Sequence, residues 1–136
     1  MQLAVDANIL LSAVIGGRAR LVFHHPGITR ILTTAYTFAE VEEYVPTFAK
    51  KKGVPVDVLI LAAAALPITV VERAEYARKL PQALRQIGSR DPEDADLLAL
   101  ALHLKIPVWS NDRDFTSARV ELFTTEDLLR HLGAIA

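Results

Sequence analysis

The chain has 136 residues, 51% hydrophobic and 23% charged, which fits one globular domain spanning residues 1–136. The net charge of −1 excludes a strongly basic protein that coats nucleic acid through bulk charge. The absence of cysteine excludes disulfides and thiolate metal sites, and it suits a reducing cytoplasm. The start, MQLAVDANIL, has no basic leader, so we expect no secretory signal. The longest apolar stretch, 58–71, is too short to predict a membrane span and is interrupted by Pro67.

Strand-like and helix-like segments alternate along the chain, a pattern typical of a parallel sheet covered by helices. Five apolar segments predict strands, in chain order Gln2 to Val5, Arg30 to Thr33, Ile68 to Val71, Pro107 to Ser110 and Val120 to Phe123. Seven segments predict helices, in chain order Asn8 to Val14, Ala19 to His24, Tyr36 to Lys52, Asp57 to Leu66, Ala74 to Ile87, Pro92 to Leu104 and Thr125 to Leu132. The predicted fold class is therefore α/β.

Proline and aspartate mark the ends and breaks of several predicted helices. Pro46 is expected to kink or divide the third helix, and Pro81 to interrupt the fifth, because proline lacks the N–H that a helix interior uses. Asp91 is expected to cap the helix that begins at Pro92, since these residue types are favoured at those two positions. The helix from Asp57 to Leu66 is nearly all apolar, and a helix that is apolar on every side is usually buried.

Aspartates directly follow two of the predicted strands. Asp6 ends the first strand in AVDAN, and Asp112 and Asp114 follow the strand from Pro107 to Ser110 in VWSNDRDF. Ligands of open parallel sheets bind at the carboxyl ends of the strands. We therefore expect these carboxylates to converge at one edge of the sheet.

A further aspartate, Asp94, lies in the first turn of the helix that precedes the strand before Asp112. The residues three, four and seven positions on are Leu97, Leu98 and Ala101, so Asp94 is expected to face the sheet. Asp96 is roughly 200° further around the helix, and it is expected to point away on a solvated face.

Carboxylates that converge repel one another, by roughly 4 kcal/mol for two charges about 4 Å apart at an effective dielectric constant near 20. Protons or a divalent cation must offset that repulsion. His24 and His25 are adjacent on a helix and point in different directions, so they are poor joint ligands. An all-oxygen site suits Mg²⁺ or Mn²⁺, and hard cations held by carboxylates are the equipment of phosphodiester hydrolysis.

The chain resembles the PIN-domain nucleases, and especially the VapC-like toxin components of bacterial and archaeal toxin–antitoxin pairs. The resemblance covers almost the whole chain. It rests on four segments in the family's order, VDANILLSA, TTAYTFAEVEEY, RDPEDADLLALAL and IPVWSNDRDF. It implies a three-layer α/β/α sandwich around a short, mainly parallel sheet, dependence on Mg²⁺ or Mn²⁺, and cleavage of RNA that leaves a 5′-phosphate.

The resemblance also assigns roles to residues of this chain. It assigns the catalytic, metal-binding acids to Asp6, Glu40, Asp94 and Asp112, with Asp114 as an additional metal ligand. It implies that Asn8 and Ser110 orient these acids. Only the resemblance selects Glu40, because Glu42 and Glu43 fit the periodicity of their helix equally well.

Each of these residues also has a purely structural interpretation. Asp6 and Asp94 can serve in helix capping, and Asp112 and Asp114 are residue types that turns favour. Their joint placement favours an enzyme. Three arginines are candidates for RNA contact, and each can equally be a surface charge: Arg18, Arg90 and Arg113.

Other functions remain open at this point. They are a non-catalytic PIN-like interaction module, a nuclease of RNA processing or acting on DNA, and, more remotely, a phosphoacceptor receiver-like domain. A receiver domain needs a lysine after its last catalytic strand, where this chain has NDRD. An aspartyl-phosphate phosphatase needs a second aspartate where the chain has Asn8. The expected partners are an RNA substrate, an antitoxin protein and a second copy of the chain, with no membrane.

Overall fold

A computed structural model describes residues 1–87, 92–112, 115 and 120–136 of the chain. Its strands are β1 (Gln2–Val5), β2 (Arg30–Thr34), β3 (Thr69–Val71), β4 (Val108–Trp109) and β5 (Leu122–Phe123). Its helices are α1 (Ala7–Val14), α2 (Ala19–Phe23), α3 (Ala35–Lys52), α4 (Val56–Ala64), α5 (Arg73–Tyr76), α6 (Leu80–Ile87), α7 (Pro92–Leu104) and α8 (Thr125–His131).

The five strands form one sheet in the order β3-β2-β1-β4-β5, and every pairing is parallel. Ala4 of β1 is level with Leu32 of β2 and with Val108 of β4, and Thr34 of β2 is level with Val71 of β3. Because all strands run the same way, their carboxyl ends meet at one edge of the sheet. The α/β prediction and the parallel sheet are confirmed.

Helices cover both faces of the sheet, which gives the predicted three-layer sandwich. On one face, the alternate β1 residues Leu3 and Val5 pack with buried residues of α1 to α4 and α8. On the other face, Ala4 packs with the helices α6 and α7 and with Tyr76 of α5. Side chains of a strand alternate between the two faces, so a four-residue strand is enough to join both cores.

The helices around two of the prolines differ from the prediction in an informative way. Helix α3 continues unbroken across Pro46, so Pro46 does not divide it. The segment before Pro81 forms α5 and then a 3₁₀ turn at Ala77–Lys79, and Pro81 lies in the first turn of α6, where a missing N–H is tolerated. The predicted cap at Asp91 lies outside the described residues.

The expectation that the apolar helix α4 is buried is wrong. Only Leu59 and Ala63 are buried, whereas Val58, Ile60 and Leu61 are 52%, 54% and 69% exposed. The helix packs on α1 and α3 through one side alone, because no further layer covers it within the described part of the chain. None of the helices described is both long and apolar enough to cross a membrane.

Candidate active site

Asp6 lies at the centre of the carboxyl edge of the sheet, immediately after β1. It is 7% exposed, and one carboxylate oxygen accepts a hydrogen bond from the backbone N–H of Ile9 at 3.0 Å, which makes Asp6 the N-cap of α1. Thr33 of the neighbouring strand donates to the carbonyl of Val5 at 2.9 Å, so the residue before Asp6 is also held in place. The capping interpretation is therefore correct, and it leaves the second carboxylate oxygen for other contacts.

Ser110, at the end of β4, links Asp6 to Asp112. Its hydroxyl donates to the second carboxylate oxygen of Asp6, and the same oxygen of Ser110 accepts the backbone N–H of Asp112 at 2.9 Å. Burial raises the pKa of Asp6 above its usual value, and the negative charge of Asp112 raises it further, against the opposing effect of the hydrogen bonds. The two carboxylates are thus close enough to repel each other, as the sequence predicts for acids at adjacent strand ends.

Asp94 and Glu40 lie on two helices, α7 and α3. Asp94 lies in the first turn of α7, it is half-buried, and its Oδ2 atom is buried. Glu40 is half-buried on α3 and lines an open depression of about 480 Å³ with Asn8 and Tyr44. The side chain of Asn8 is exposed in this depression, and its backbone N–H contributes to lowering the pKa of Asp6.

Among the described residues, no three Asp, Glu or His side chains lie close enough together to hold a metal ion. The predicted ligand Asp114 and the predicted RNA contacts Arg90 and Arg113 lie outside the described residues. The donor chemistry still fits a hard divalent cation: Asp6 and Asp112 supply carboxylates on either side of Ser110 in the hydrogen-bonded chain, and a cation would offset the repulsion between them.

The prediction that Asp96 points into solvent is wrong. Asp96 is 3% exposed and accepts two hydrogen bonds from the Arg73 guanidinium, at 2.8 and 2.9 Å, and one from the Tyr76 hydroxyl at 2.5 Å. Burial, and then the hydrogen bond to Asp96, raise the pKa of Tyr76 to about 12, so its hydroxyl stays protonated and donates. The reason for the error is that α7 has buried side chains all around it, since it packs on α5 and α6 as well as on the sheet strands β1 and β2.

Sequence reasoning missed Arg73 and Tyr76 altogether. The signal that was available is the run ADLLALAL, in which every residue except Asp96 is apolar. An acid inside an all-round apolar helix is buried, and a buried carboxylate requires a cationic or hydrogen-bonding partner. Nothing in the sequence identifies which residue supplies it.

The remaining predicted contact, Arg18, is exposed near the ends of β4 and β5. It lines a second depression together with Asn111 and Thr124. Asn111 accepts the backbone N–H of Thr125 at 2.9 Å, and Trp109 donates to the hydroxyl of the same threonine at 3.1 Å. Arg18 is therefore at the correct edge of the sheet for the role that the sequence suggests, beside the residue that precedes Asp112.

A family model for the PIN domain matches residues 4–133 of the chain. The chain belongs to the PIN-domain family. PIN domains are nuclease domains, and the match includes every predicted acid, from Asp6 to Asp114. Comparison with curated protein sequences gives no significant match.

Solved structures share this fold at low sequence identity. The crystal structure of PAE2754 from Pyrobaculum aerophilum aligns with a TM-score of 0.73 at 16% identity, over 99% of this chain and 91% of that one. VapBC2 from Rickettsia felis, bound to a DNA fragment from its promoter, aligns with a TM-score of 0.65 at 16% identity, over 91% of this chain and 98% of that one. VapC20 from Mycobacterium tuberculosis, a sarcin-ricin loop cleaving toxin, aligns with a TM-score of 0.59 at 20% identity, over 87% of this chain and 95% of that one.

Proposed function

We propose that this PIN domain is a cytoplasmic endoribonuclease that depends on Mg²⁺ or Mn²⁺. The acids that hold the metal are Asp6, Glu40, Asp94 and Asp112, with Asp114 as an additional ligand. The observation that carries the proposal is the arrangement around Ser110, where a buried Asp6 and a neighbouring Asp112 are held at the carboxyl edge of a parallel sheet. A fold that keeps two repelling carboxylates together is suited to a divalent cation.

In this mechanism the residues of the chain orient the acids. A bound divalent cation supplies Lewis acidity and neutralises charge on the scissile phosphate. Ile9 and Ser110 fix both oxygens of Asp6, so its carboxylate does not have to reorganise when the substrate binds. Ser110 also fixes the backbone of Asp112, and the depression beside Asn8 and Glu40 leaves room for RNA to approach.

The direct test is cleavage of a panel of labelled RNAs by the purified protein. We expect cleavage with Mg²⁺ or Mn²⁺ and none in the presence of a chelator. The 5′ ends of the products should carry phosphate. Strong cleavage that persists in chelator would contradict the proposal, as would a 5′-hydroxyl on the products.

The same proposal extends to the biological role, a toxin that is neutralised by an antitoxin protein. Support comes from solved structures with the same fold, among them VapBC2, FitAB bound to IR36 DNA, and the toxin VapC20. A nuclease of RNA processing is the alternative. A small reading frame next to the gene, whose product co-purifies with this chain and blocks its cleavage of RNA, would distinguish the toxin from the alternative.

Thermal stability gives a test of the metal site that needs no substrate. A cation that binds only the folded chain adds about 1.4 kcal/mol at a concentration tenfold above its Kd. We expect the unfolding midpoint to rise in millimolar Mg²⁺ or Mn²⁺ relative to chelator. Asp94→Asn should reduce that rise, and should leave the midpoint in chelator unchanged or higher because it removes one repelling charge. A midpoint that does not respond to either metal would contradict the site.

Assembly into a homodimer is part of the proposal, and the exposed side of α4 is the surface we expect to be buried. Val58, Ile60 and Leu61 are each more than half exposed there. Exposed apolar patches of this kind mark interfaces. Light scattering at micromolar concentration should give about twice the mass of the 14.9 kDa chain, and Leu61→Glu should return it to the mass of one chain. A parent protein that is monomeric at all concentrations would contradict the dimer and leave the nuclease proposal intact.

A further inference from the structure

Two exposed side chains lie together on the β3 side of the acids. Thr34 of β2 is level with Val71 of β3, and Tyr36 and Arg73 each follow two residues later. The guanidinium carbon of Arg73 lies 5.3 Å from the centre of the Tyr36 ring, a cation–π arrangement. Tyr36 is 42% exposed, and the side chain of Arg73 is 55% exposed. An aromatic ring and a guanidinium group are thus presented to solvent at the edge of the sheet that carries Asp6.

The position of Arg73 is fixed from beneath. Its Nε and Nη2 atoms donate to the two oxygens of Asp96, which is buried and also accepts the hydroxyl of Tyr76. Burying a carboxylate is unfavourable unless it is paired and hydrogen-bonded. Here the buried charge holds the guanidinium of an arginine whose side chain is mostly in solvent. Asp96 thereby fixes the exposed guanidinium in one position, which lowers the conformational cost of binding a further ligand there.

We infer that Tyr36 and Arg73 form a subsite that binds one nucleotide of single-stranded RNA beside the cleaved bond. The inference rests on the proposed function for the class of substrate. Arg73 uses its Nε and one N–H of Nη2 on Asp96, and the N–H groups that remain on Nη1 and Nη2 can donate to a phosphate. Tyrosine stacks on an unpaired base whatever its identity. The pair Tyr36 and Arg73 therefore matches the two invariant parts of a nucleotide, its charge and its flat base.

The distance between this subsite and the acids fits a neighbouring nucleotide of the same strand. Asp6 follows β1 and Arg73 follows β3, with β2 between them. Two strand spacings amount to roughly 10 Å. A strand of RNA that crosses the carboxyl edge of the sheet can therefore place one phosphate at the acids and a nearby nucleotide on Tyr36. Duplex RNA keeps its bases stacked inside the helix, so it does not offer one to the ring.

The test is the affinity of the protein for a short fluorescent single-stranded RNA, measured in chelator at several salt concentrations. Without metal the RNA is not cut, so the result does not depend on catalysis. Tyr36→Leu should weaken binding by about 5- to 150-fold, the usual loss for one stacked base, without changing the salt dependence. Tyr36→Phe keeps the ring and should bind almost as the parent does. Arg73→Gln should lower the slope of log affinity against log salt by about 0.7, the value for one phosphate contact on a single strand.

A matched control is Arg130→Gln. Arg130 is also a half-exposed arginine paired with a carboxylate, Glu126, but it lies in the last turn of α8. This control should change neither the affinity nor the slope.

Three results would overturn the subsite. The first is that Tyr36→Leu binds single-stranded RNA as the parent does, and the second is that the parent does not bind single-stranded RNA. The third is that duplex RNA binds as tightly as single-stranded RNA and is affected equally by Tyr36→Leu. The hydrogen bonds to Asp96 come from Arg73 and Tyr76, and Tyr36→Leu removes neither donor, so this arm remains decisive even if Arg73→Gln fails to fold. Loss of binding with normal metal-induced stabilisation separates the subsite from the metal site.

Discussion

Asp6→Asn, Asp94→Asn and Asp112→Asn should each lower the rate of RNA cleavage by at least about tenfold. Loss of a residue that merely orients a metal ligand costs 10–100-fold in many metal sites, and loss of a ligand should cost no less. The largest effect is expected for Asp6→Asn, because Asp6 is the acid that the structure buries and fixes at both oxygens. Initial rates on the best substrate of the RNA panel, at saturating Mg²⁺ or Mn²⁺, provide the measurement.

The control for these variants must be an acid away from the carboxyl edge. Asp57 is exposed in the first turn of α4, so Asp57→Asn removes the same charge and should cut RNA as the parent does. Asp96→Asn is unsuitable, since Asp96 holds Arg73 and Tyr76. The cleavage rate of Ser110→Ala should lie between that of Asp57→Asn and those of the three active-site variants, because it removes the link between Asp6 and Asp112 without removing a carboxylate. Equal loss of activity in Asp57→Asn would mean that general destabilisation, not metal binding, explains the variants.

The parallel sheet, and the edge of it that carries Asp6 and Asp112, could be predicted from the sequence. Asp6 follows one short apolar run, and Ser110-Asn111-Asp112 follows another. In a parallel sheet both runs end at the same edge, so these polar residues lie there however the helices pack. The role of Ser110 in orienting Asp6 came from the family resemblance. The structure gives that role a physical basis, because one hydroxyl both donates to Asp6 and accepts from Asp112.

The environment of each helix face could not be predicted in the same way, since it depends on what packs there from elsewhere in the chain. Helix α4 is nearly all apolar and stays half in solvent, whereas Asp96 was expected to be solvated and is buried against α5. Periodicity reports which residues share a face. It does not report whether a second layer covers that face. For that reason Asp96 was expected to be exposed and is buried, whereas α4 was expected to be buried and is partly exposed.

Glu40 shows the remaining limit of sequence reasoning. Periodicity leaves it level with Glu42 and Glu43, and the structure places Glu40 and Glu43 in the same depression beside Asn8. Glu40 is half-buried there whereas Glu43 is exposed, so the Glu40 side chain has less freedom to move. The choice of Glu40 therefore rests on the resemblance and on burial together, and Glu43→Gln is the natural comparison for Glu40→Gln in the cleavage assay.

Tyr76→Phe should destabilise the fold by about 1.5–3 kcal/mol, the usual contribution of a hydrogen bond to a charged group. The hydroxyl of Tyr76 is fully buried and donates to Asp96 at 2.5 Å, and its loss leaves a buried carboxylate with one donor fewer. Asp96→Asn should destabilise by a similar amount, because an amide cannot accept at both positions from the Arg73 guanidinium.

Tyr44→Phe is the matched control. The hydroxyl of Tyr44 accepts a hydrogen bond from Lys51 at 2.8 Å on the surface, so its loss should change stability by less than about 0.5 kcal/mol. Urea unfolding of the four proteins at one pH, with a common slope, gives the differences directly. If Tyr76→Phe unfolds at the same urea concentration as Tyr44→Phe, the buried network does not stabilise the first turns of α5 and α7, and the idea that Asp96 holds Arg73 ready for RNA loses its structural basis.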